Sequence, residues 1–148
     1  MPRIRGDAAG GKPIISVALL PALPRLEGVV PLATPSTVDM LECRALLDTG
    51  ADGTSVCHST ARAAGLRSHG KRPVIGIGGQ NYHRTWGLFL GFLTEENASP
   101  FVLDEPLLAV EIPDNGWFEA IIGRDVLTKG TFTMRPGGEF EFDLPDDA

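Results

Sequence analysis

Hydrophobic residues occur along this chain in short runs that glycine and proline interrupt. Residues 14–20 form an apolar run rich in β-branched side chains, which is typical of a buried strand. Residues 41–47 alternate between apolar and polar side chains, which predicts a strand with one buried face. Similar patterns predict strands at residues 107–112, 120–122, 131–134 and 139–144. The many short strands favour an all-β fold.

Glycines and small residues predict how these strands are connected. Residues 74–93 read as two strands joined by a tight turn at the glycine cluster 76–79, which predicts a long mobile hairpin. A short helix is predicted at 59–65, where Ser59 can cap and a glycine can terminate it. A second short helix is predicted to end at Lys129.

The chain is expected to contain one structured domain. Residues 1–13 carry three glycines, scattered charge and no periodicity. They are therefore expected to form a flexible leader without structure. Residues 14–148 are enough for a single domain with its own core.

Charge and cysteine content narrow the class of protein. The net charge of −6, without a cluster of lysine and arginine, argues against nucleic acid as a partner. The apolar runs are far shorter than the roughly 20 residues that a membrane helix needs, so a soluble protein is expected. Cys43 and Cys57 follow no apparent signal peptide, which favours buried thiols in a reducing compartment and a cytoplasmic location.

Three motifs carry the candidate chemistry. Residues 47–52 read Leu-Asp-Thr-Gly-Ala-Asp and follow an apolar strand, and residues 121–125 read Ile-Ile-Gly-Arg-Asp at the end of another. Residues 75–79 supply the glycine-rich turn between them. An Asp-Thr-Gly tripeptide alone is weak support, because it arises by chance in about two chains of this length per hundred. With all three motifs in this order, the sequence resembles the retroviral-type, or retropepsin-like, aspartic proteases and their bacterial members.

The resemblance implies a closed or nearly closed acid-protease β-barrel, built as a single lobe that homodimerises. Asp48 is then the catalytic residue. The chain has no second Asp-Thr-Gly or Asp-Ser-Gly, so the other carboxylate must come from Asp48 of a second subunit. Two nearby carboxylates can share one proton, and together they can activate a water and protonate the leaving nitrogen.

The resemblance also assigns roles to the neighbours of Asp48. Thr49, Gly50 and Ala51 support the catalytic loop, with Thr49 expected to bond across the dimer. Asp52 is expected to bind substrate backbone and to pair with Arg124.

The flap and the substrate complete the assignment. Ile77, Gly78 and Gly79 are expected to form a flap tip over a polypeptide substrate in extended conformation. The C-terminal strand 139–144 is expected to pair with the partner chain. No metal or other cofactor is implied.

Other interpretations remain open from the sequence. Asp48 could be an ordinary turn residue, and the glycine hairpin could be a rigid turn within a core sheet. The same fold could serve as a catalytically silent dimerising or peptide-binding module. An unrelated β-barrel that binds a small ligand is a further alternative. The three histidines stand apart without companion ligands, so no zinc site is expected.

Overall fold

The computed structural model describes residues 2–22, 40–94 and 99–148, and strands dominate them. The prediction of an all-β fold is confirmed. The described strands are β1 (Arg3–Asp7), β2 (Ile14–Pro21), β3 (Leu41–Leu47), β4 (Ser55–Cys57), β5 (Arg67–Gly76), β6 (Gly79–Phe92), β7 (Phe101–Val102), β8 (Leu107–Ile112), β9 (Ala120–Ile122), β10 (Thr131–Met134) and β11 (Glu139–Asp143).

Six of these strands form a ring-like sheet. They follow one another in the order β2-β3-β9-β4-β8-β6, and β6 pairs back with β2. The pairs β3–β9 and β4–β8 are parallel, whereas the other pairs of the ring are antiparallel. β6 is 14 residues long, so separate parts of it can also pair with β5 and β7. Parallel pairing of β3 and β9 brings the segments that follow them to the same end of the sheet.

A second sheet has the order β1-β11-β10, with antiparallel pairing throughout. One continuous core joins the two sheets. Phe92 of β6 and Phe142 of β11 meet edge to face at a centroid distance of 5.6 Å, and both side chains are fully buried. Full burial of one such side chain contributes about 1.5–3 kcal/mol, so this contact fastens the two sheets together.

The predicted flexible leader is wrong for residues 3–7, which form β1. Ile4 is buried in the core, and Gly6 lies directly against Phe140 of β11. A Cβ on Gly6 would fall 2.3 Å from the Phe140 ring. Glycine does not register as apolar in a hydrophobic pattern, so the alternation that places β1 on the core was not visible in the sequence.

The predicted pairing of the C-terminal strand with a partner chain is also wrong as stated. β11 is the central strand of its sheet and has β1 on one side and β10 on the other. Both of its edges are therefore occupied within the same chain.

Two short helices accompany the strands, as predicted: α1 (His58–Ala63) and α2 (Arg124–Leu127). Gly65 adopts φ +68° just after α1, which suits a residue that ends a helix. Ser59 does not cap α1, because its backbone and hydroxyl bind the Asp114 carboxylate instead. Neither helix in the described ranges is long and apolar enough to cross a membrane.

Candidate active site

Asp48 lies immediately after β3, at the end of the parallel β3–β9 pair. Its backbone N–H donates to the carbonyl of Ile122 over 3.0 Å, which extends the pairing by one residue. β9 then continues through Gly123 into α2. The Asp48 loop and the start of α2 therefore meet at one end of the ring-like sheet, as their positions after two apolar strands suggested.

A tight turn holds the Asp48 carboxylate. Oδ1 accepts a 2.8 Å hydrogen bond from the N–H of Gly50, and the N–H of Ala51 donates to the Asp48 carbonyl at 3.2 Å. A Cβ on Gly50 would lie 3.2 Å from Oδ1, a tight approach to the carboxylate. Asp48 is half-buried, and the hydrogen bond from Gly50 restricts the orientation of its carboxylate.

Arg124 fastens this loop to α2 at three points. Its guanidinium donates to the carbonyl of Thr49 at 2.9 Å and forms the predicted ion pair with Asp52. Its backbone N–H donates to the carbonyl of Ala51 at 2.8 Å. The Asp52 side chain is 91% exposed, so the ion pair itself adds little stability. The contacts of Arg124 mainly fix the path of the loop.

A buried contact beneath the loop was not assigned from the sequence. Thr54 is 1% exposed, and its hydroxyl donates to Asp125 Oδ1 at 2.9 Å. The same hydroxyl accepts from the N–H of Gly123 at 3.4 Å. A Cβ on Gly123 would approach the backbone of Gly53 to 2.5 Å. The backbones at Gly53 and Gly123 are therefore in close contact. The sequence signal that could have indicated this contact is the Asp-Gly-Thr at residues 52–54, which begins at the last residue of the motif.

The predicted hairpin is present, with Ile77 and Gly78 in the turn between β5 and β6. Ile77 is fully exposed, and Gly79 has φ +100°, a backbone conformation that favours glycine. Cβ atoms built on Gly78 and Gly79 would meet nothing within 4 Å. The tip therefore projects into open space. Nearly every residue of β5 is exposed, so this turn does not lie within a buried sheet.

The stem of this hairpin, rather than its tip, reaches the Asp48 loop. Arg72 of β5 extends its guanidinium to 3.3 Å from the position that a Cβ on Gly53 would occupy. The Asp125 carboxylate lies 4.0 Å from the same position. The contact places a cation beside the loop, and nothing in the sequence pattern singled out Arg72 among the exposed residues of β5.

The region of Cys57 offers no comparable chemistry. Its thiol contacts the carbonyls of Pro113 and Phe118, and burial followed by the charge of Asp114 raises its pKa. A cleft of about 240 Å³ beside it is smaller than a typical ligand pocket. Cys57 is thus a buried thiol rather than an activated nucleophile.

Two of the three histidines contact Glu111. His58 binds the Glu111 carboxylate at 2.7 Å, and His83 contacts the Glu111 carbonyl at 3.0 Å. The Trp86 indole donates to the same carboxylate at 3.2 Å. Across residues 2–22, 40–94 and 99–148, no group of three or more His, Cys, Asp or Glu side chains is arranged to hold a metal ion.

No protein-family model matches this chain, and no curated protein matches it.

Proposed function

We propose that this protein is an aspartic endopeptidase that acts as a homodimer, with the two Asp48 carboxylates as the catalytic pair. The observation that carries the proposal is the position of Asp48. Asp48 is half-buried, and its carboxylate is oriented by the Gly50 N–H in a loop that Arg124 fixes to α2. A reactive group of this kind has to be held in place by its surroundings.

One carboxylate is half of the required machinery. Peptide hydrolysis needs a base for the water and an acid for the leaving nitrogen. The chain contains a single Asp-Thr-Gly, so the second group is Asp48 of the partner subunit, related to the first by a two-fold axis. Because two carboxylates held close together repel each other when both are charged, the pair retains one proton.

The reaction proceeds through a water molecule without a covalent enzyme intermediate. The charged Asp48 carboxylate removes a proton from water as the water oxygen bonds to the scissile carbonyl carbon. The protonated carboxyl of the pair then gives its proton to the nitrogen as the C–N bond breaks. The products are a carboxylic acid and an amine, with no change in oxidation state, and the chemistry needs no cofactor.

The hairpin β5–β6 would supply the substrate-covering element. Its tip carries the exposed apolar side chains of Ile75 and Ile77, and its stem contacts the catalytic loop through Arg72. Closure over an extended polypeptide would bury these side chains and exclude water from the carboxylate pair. In this proposal Asp52, at the rim of the loop, contacts substrate backbone.

Cleavage of an unstructured protein tests the proposal. Casein would be incubated between pH 3 and pH 8 with the wild-type chain and with Asp48→Asn, at subunit concentrations spanning about a hundredfold. We expect activity in the acidic range, a steeper than linear dependence on concentration at the dilute end, and no activity in the variant. Equal cleavage by both proteins, or an activity that still rises at pH 8, would contradict the assignment of Asp48.

A catalytically silent peptide-binding module of the same fold is the second candidate. The exposed apolar residues of the hairpin, which suit an extended chain whether or not it is cut, favour it. Binding of casein peptides without cleavage, equal in wild type and Asp48→Asn, would support this alternative.

A further inference from the structure

The sheet β1-β11-β10 has two outer edges, one on β1 and one on β10. β11 lies between them and cannot accept another strand. If a second copy adds to this sheet, it must therefore do so at β1 or at β10, and the two edges differ in character.

The outward backbone groups of β10 belong to Phe132 and Met134. The N–H of Arg135 donates to the carbonyl of Glu139 at 2.7 Å, which directs Arg135 toward β11. Successive residues of a strand direct their backbone groups to opposite sides, so the backbone groups of Thr133 also point toward β11. The backbone N–H and carbonyl groups of Phe132 and Met134 therefore point away from β11. No partner within the described ranges satisfies them.

The two edge strands differ in how their side chains affect pairing with another strand. The outward backbone positions of β1 are occupied by Arg3, Arg5 and Asp7, and charged residues on an edge strand discourage pairing with another strand. β10 reads Thr-Phe-Thr-Met, without charge and with residues that favour strands. The β10 edge therefore lacks the protection that the β1 edge has.

We propose that two copies of this chain pair antiparallel through β10, so that their three-stranded sheets become one six-stranded sheet. The proposal rests on the homodimeric function above, which requires a second Asp48. Thr131 follows Arg124 by seven residues, so its Cα lies no more than roughly 24 Å from that of Arg124, which contacts the Asp48 loop. The proposal requires that a two-fold axis through β10 bring the two Asp48 carboxylates together.

The pairing register follows from the two faces of β10. Phe132 and Met134 lie on the face that carries Phe140 and Phe142, whereas Thr133 lies on the other face with Glu141. Side chains alternate with a period of two, so a continuous inner face requires that Phe132 oppose either itself or Met134 of the partner subunit. The second register satisfies the outward groups of both residues, with four hydrogen bonds in total.

This register places Thr133 on the two-fold axis. The two Thr133 residues oppose each other at a position without hydrogen bonds, where Cα atoms are about 4.5 Å apart. Threonine pairs at such positions are favourable. Met134, which is 49% exposed in the single chain, would be covered by Phe132 of the partner subunit.

Disulfide trapping tests the interface directly. The full chain carrying Thr133→Cys would be oxidised mildly and separated by non-reducing electrophoresis, with Arg5→Cys on the β1 edge as the matched control. We expect most of the Thr133→Cys protein to become a covalent dimer, because the opposed Cα atoms fall within disulfide range. Arg5→Cys should remain a monomer on the gel, and the reverse result would overturn the proposal.

A charge on the axis provides a second test. Thr133 is exposed, and its side chain makes no hydrogen bond within the described ranges, so Thr133→Lys should keep the fold. Two lysines directly opposite each other should raise the dimer Kd about tenfold or more. Leu108→Lys, on the exposed face of β8, adds the same charge and should leave Kd unchanged. An unchanged Kd for Thr133→Lys in sedimentation velocity would overturn the proposal.

The two proposals fail in different ways. Trapping at Thr133 without any cleavage of casein would support the interface and contradict the peptidase function. Cleavage that depends on Asp48, together with trapping at Arg5→Cys instead, would retain the function and contradict this interface. A wild-type chain that stays monomeric at all concentrations tested would overturn the interface.

Discussion

Thr54 presents two donors to the two carboxylate oxygens of Asp125. Its hydroxyl donates to Oδ1 at 2.9 Å and its N–H donates to Oδ2 at 3.0 Å. The threonine is fully buried, and an unsatisfied polar group is costly in such a position. The Thr54–Asp125 contact therefore links the loop after Asp48 to the start of α2. Arg124 links the same two segments through separate contacts.

Removal of the Thr54 hydroxyl should destabilise the protein. We expect Thr54→Val to lower the free energy of unfolding by about 1–3 kcal/mol, because Asp125 Oδ1 loses its donor. Thr54→Ser keeps the hydroxyl and should cost about 1 kcal/mol for the lost methyl group. Urea denaturation gives these values. The double variant Thr54→Val/Asp125→Ala should lose less stability than the sum of the losses in the two single variants. Strict additivity would contradict the contact.

Gly123 should tolerate no side chain. A Cβ there would lie 2.5 Å from the backbone of Gly53, which cannot move without displacing the loop. We expect Gly123→Ala to cost about 1–3 kcal/mol or more through this overlap. Gly116→Ala is the matched control, because a Cβ on Gly116 meets nothing within 4 Å. Equal stability of the two variants in urea denaturation would show that the contact at Gly53 is looser than described.

Most strands could be predicted because their residues alternate or cluster in ways that reveal a buried face. The pattern at 41–47 matches β3 (Leu41–Leu47), and the run 14–20 matches β2 within one residue. β1 escaped prediction because Gly6, which admits the Phe140 ring, gives no hydrophobic signal. The start of α1 was misplaced because Ser59 binds Asp114, a residue 55 positions away in the sequence.

The residues of the Asp48 loop could be predicted from the sequence, but most of the contacts that hold this loop in place could not. Asp48, Asp52 and Arg124 lie within short motifs that follow apolar strands, and the family resemblance implied the Asp52–Arg124 pair. The contacts of Thr54 with Asp125 and of Arg72 with Gly53 depend on how distant segments pack. The central position of β11 likewise depends on a strand at the other end of the chain.

Glu111 should make stability depend on pH in the acidic range. Burial would raise the pKa of Glu111, but hydrogen bonds from His58 and Trp86 and the charges of His58 and Arg84 outweigh it and lower the pKa. A lowered pKa favours the folded state above the unfolded value of about 4.5, and this contribution is lost as pH falls through the folded pKa.

The comparison of Glu111→Gln with wild type measures this effect. The difference in free energy of unfolding should be about 1–2 kcal/mol at pH 6 and should shrink between pH 4.5 and pH 3. Glu105→Gln, an exposed carboxyl group, should give a difference near zero throughout. A Glu111→Gln difference that stays constant down to pH 3 would mean that the carboxylate contacts are not formed.

Cys43 and Cys57 should be unreactive in the folded protein and should not form a disulfide. Burial, followed by the charge of Glu119, raises the pKa of Cys43 to about 12, and burial also raises the pKa of Cys57. β9 lies between the strands that carry them, which separates their Cα atoms by about 10 Å, beyond disulfide range. Labelling with a thiol reagent at pH 8 should be slow in buffer and complete in urea. Rapid labelling in buffer would contradict the burial.

Ile77 should affect activity without affecting stability. Its side chain is fully exposed at the hairpin tip, so Ile77→Asn should change the free energy of unfolding by no more than about 0.5 kcal/mol. If the tip covers a bound polypeptide, the loss of its apolar contact should lower kcat/KM for casein peptides about tenfold. Leu108→Asn is the control, since Leu108 is 49% exposed on β8 and lies outside the hairpin. An Asp48-dependent activity that is the same in Ile77→Asn and wild type would separate this hairpin from substrate binding, while leaving the carboxylate pair as the catalytic centre.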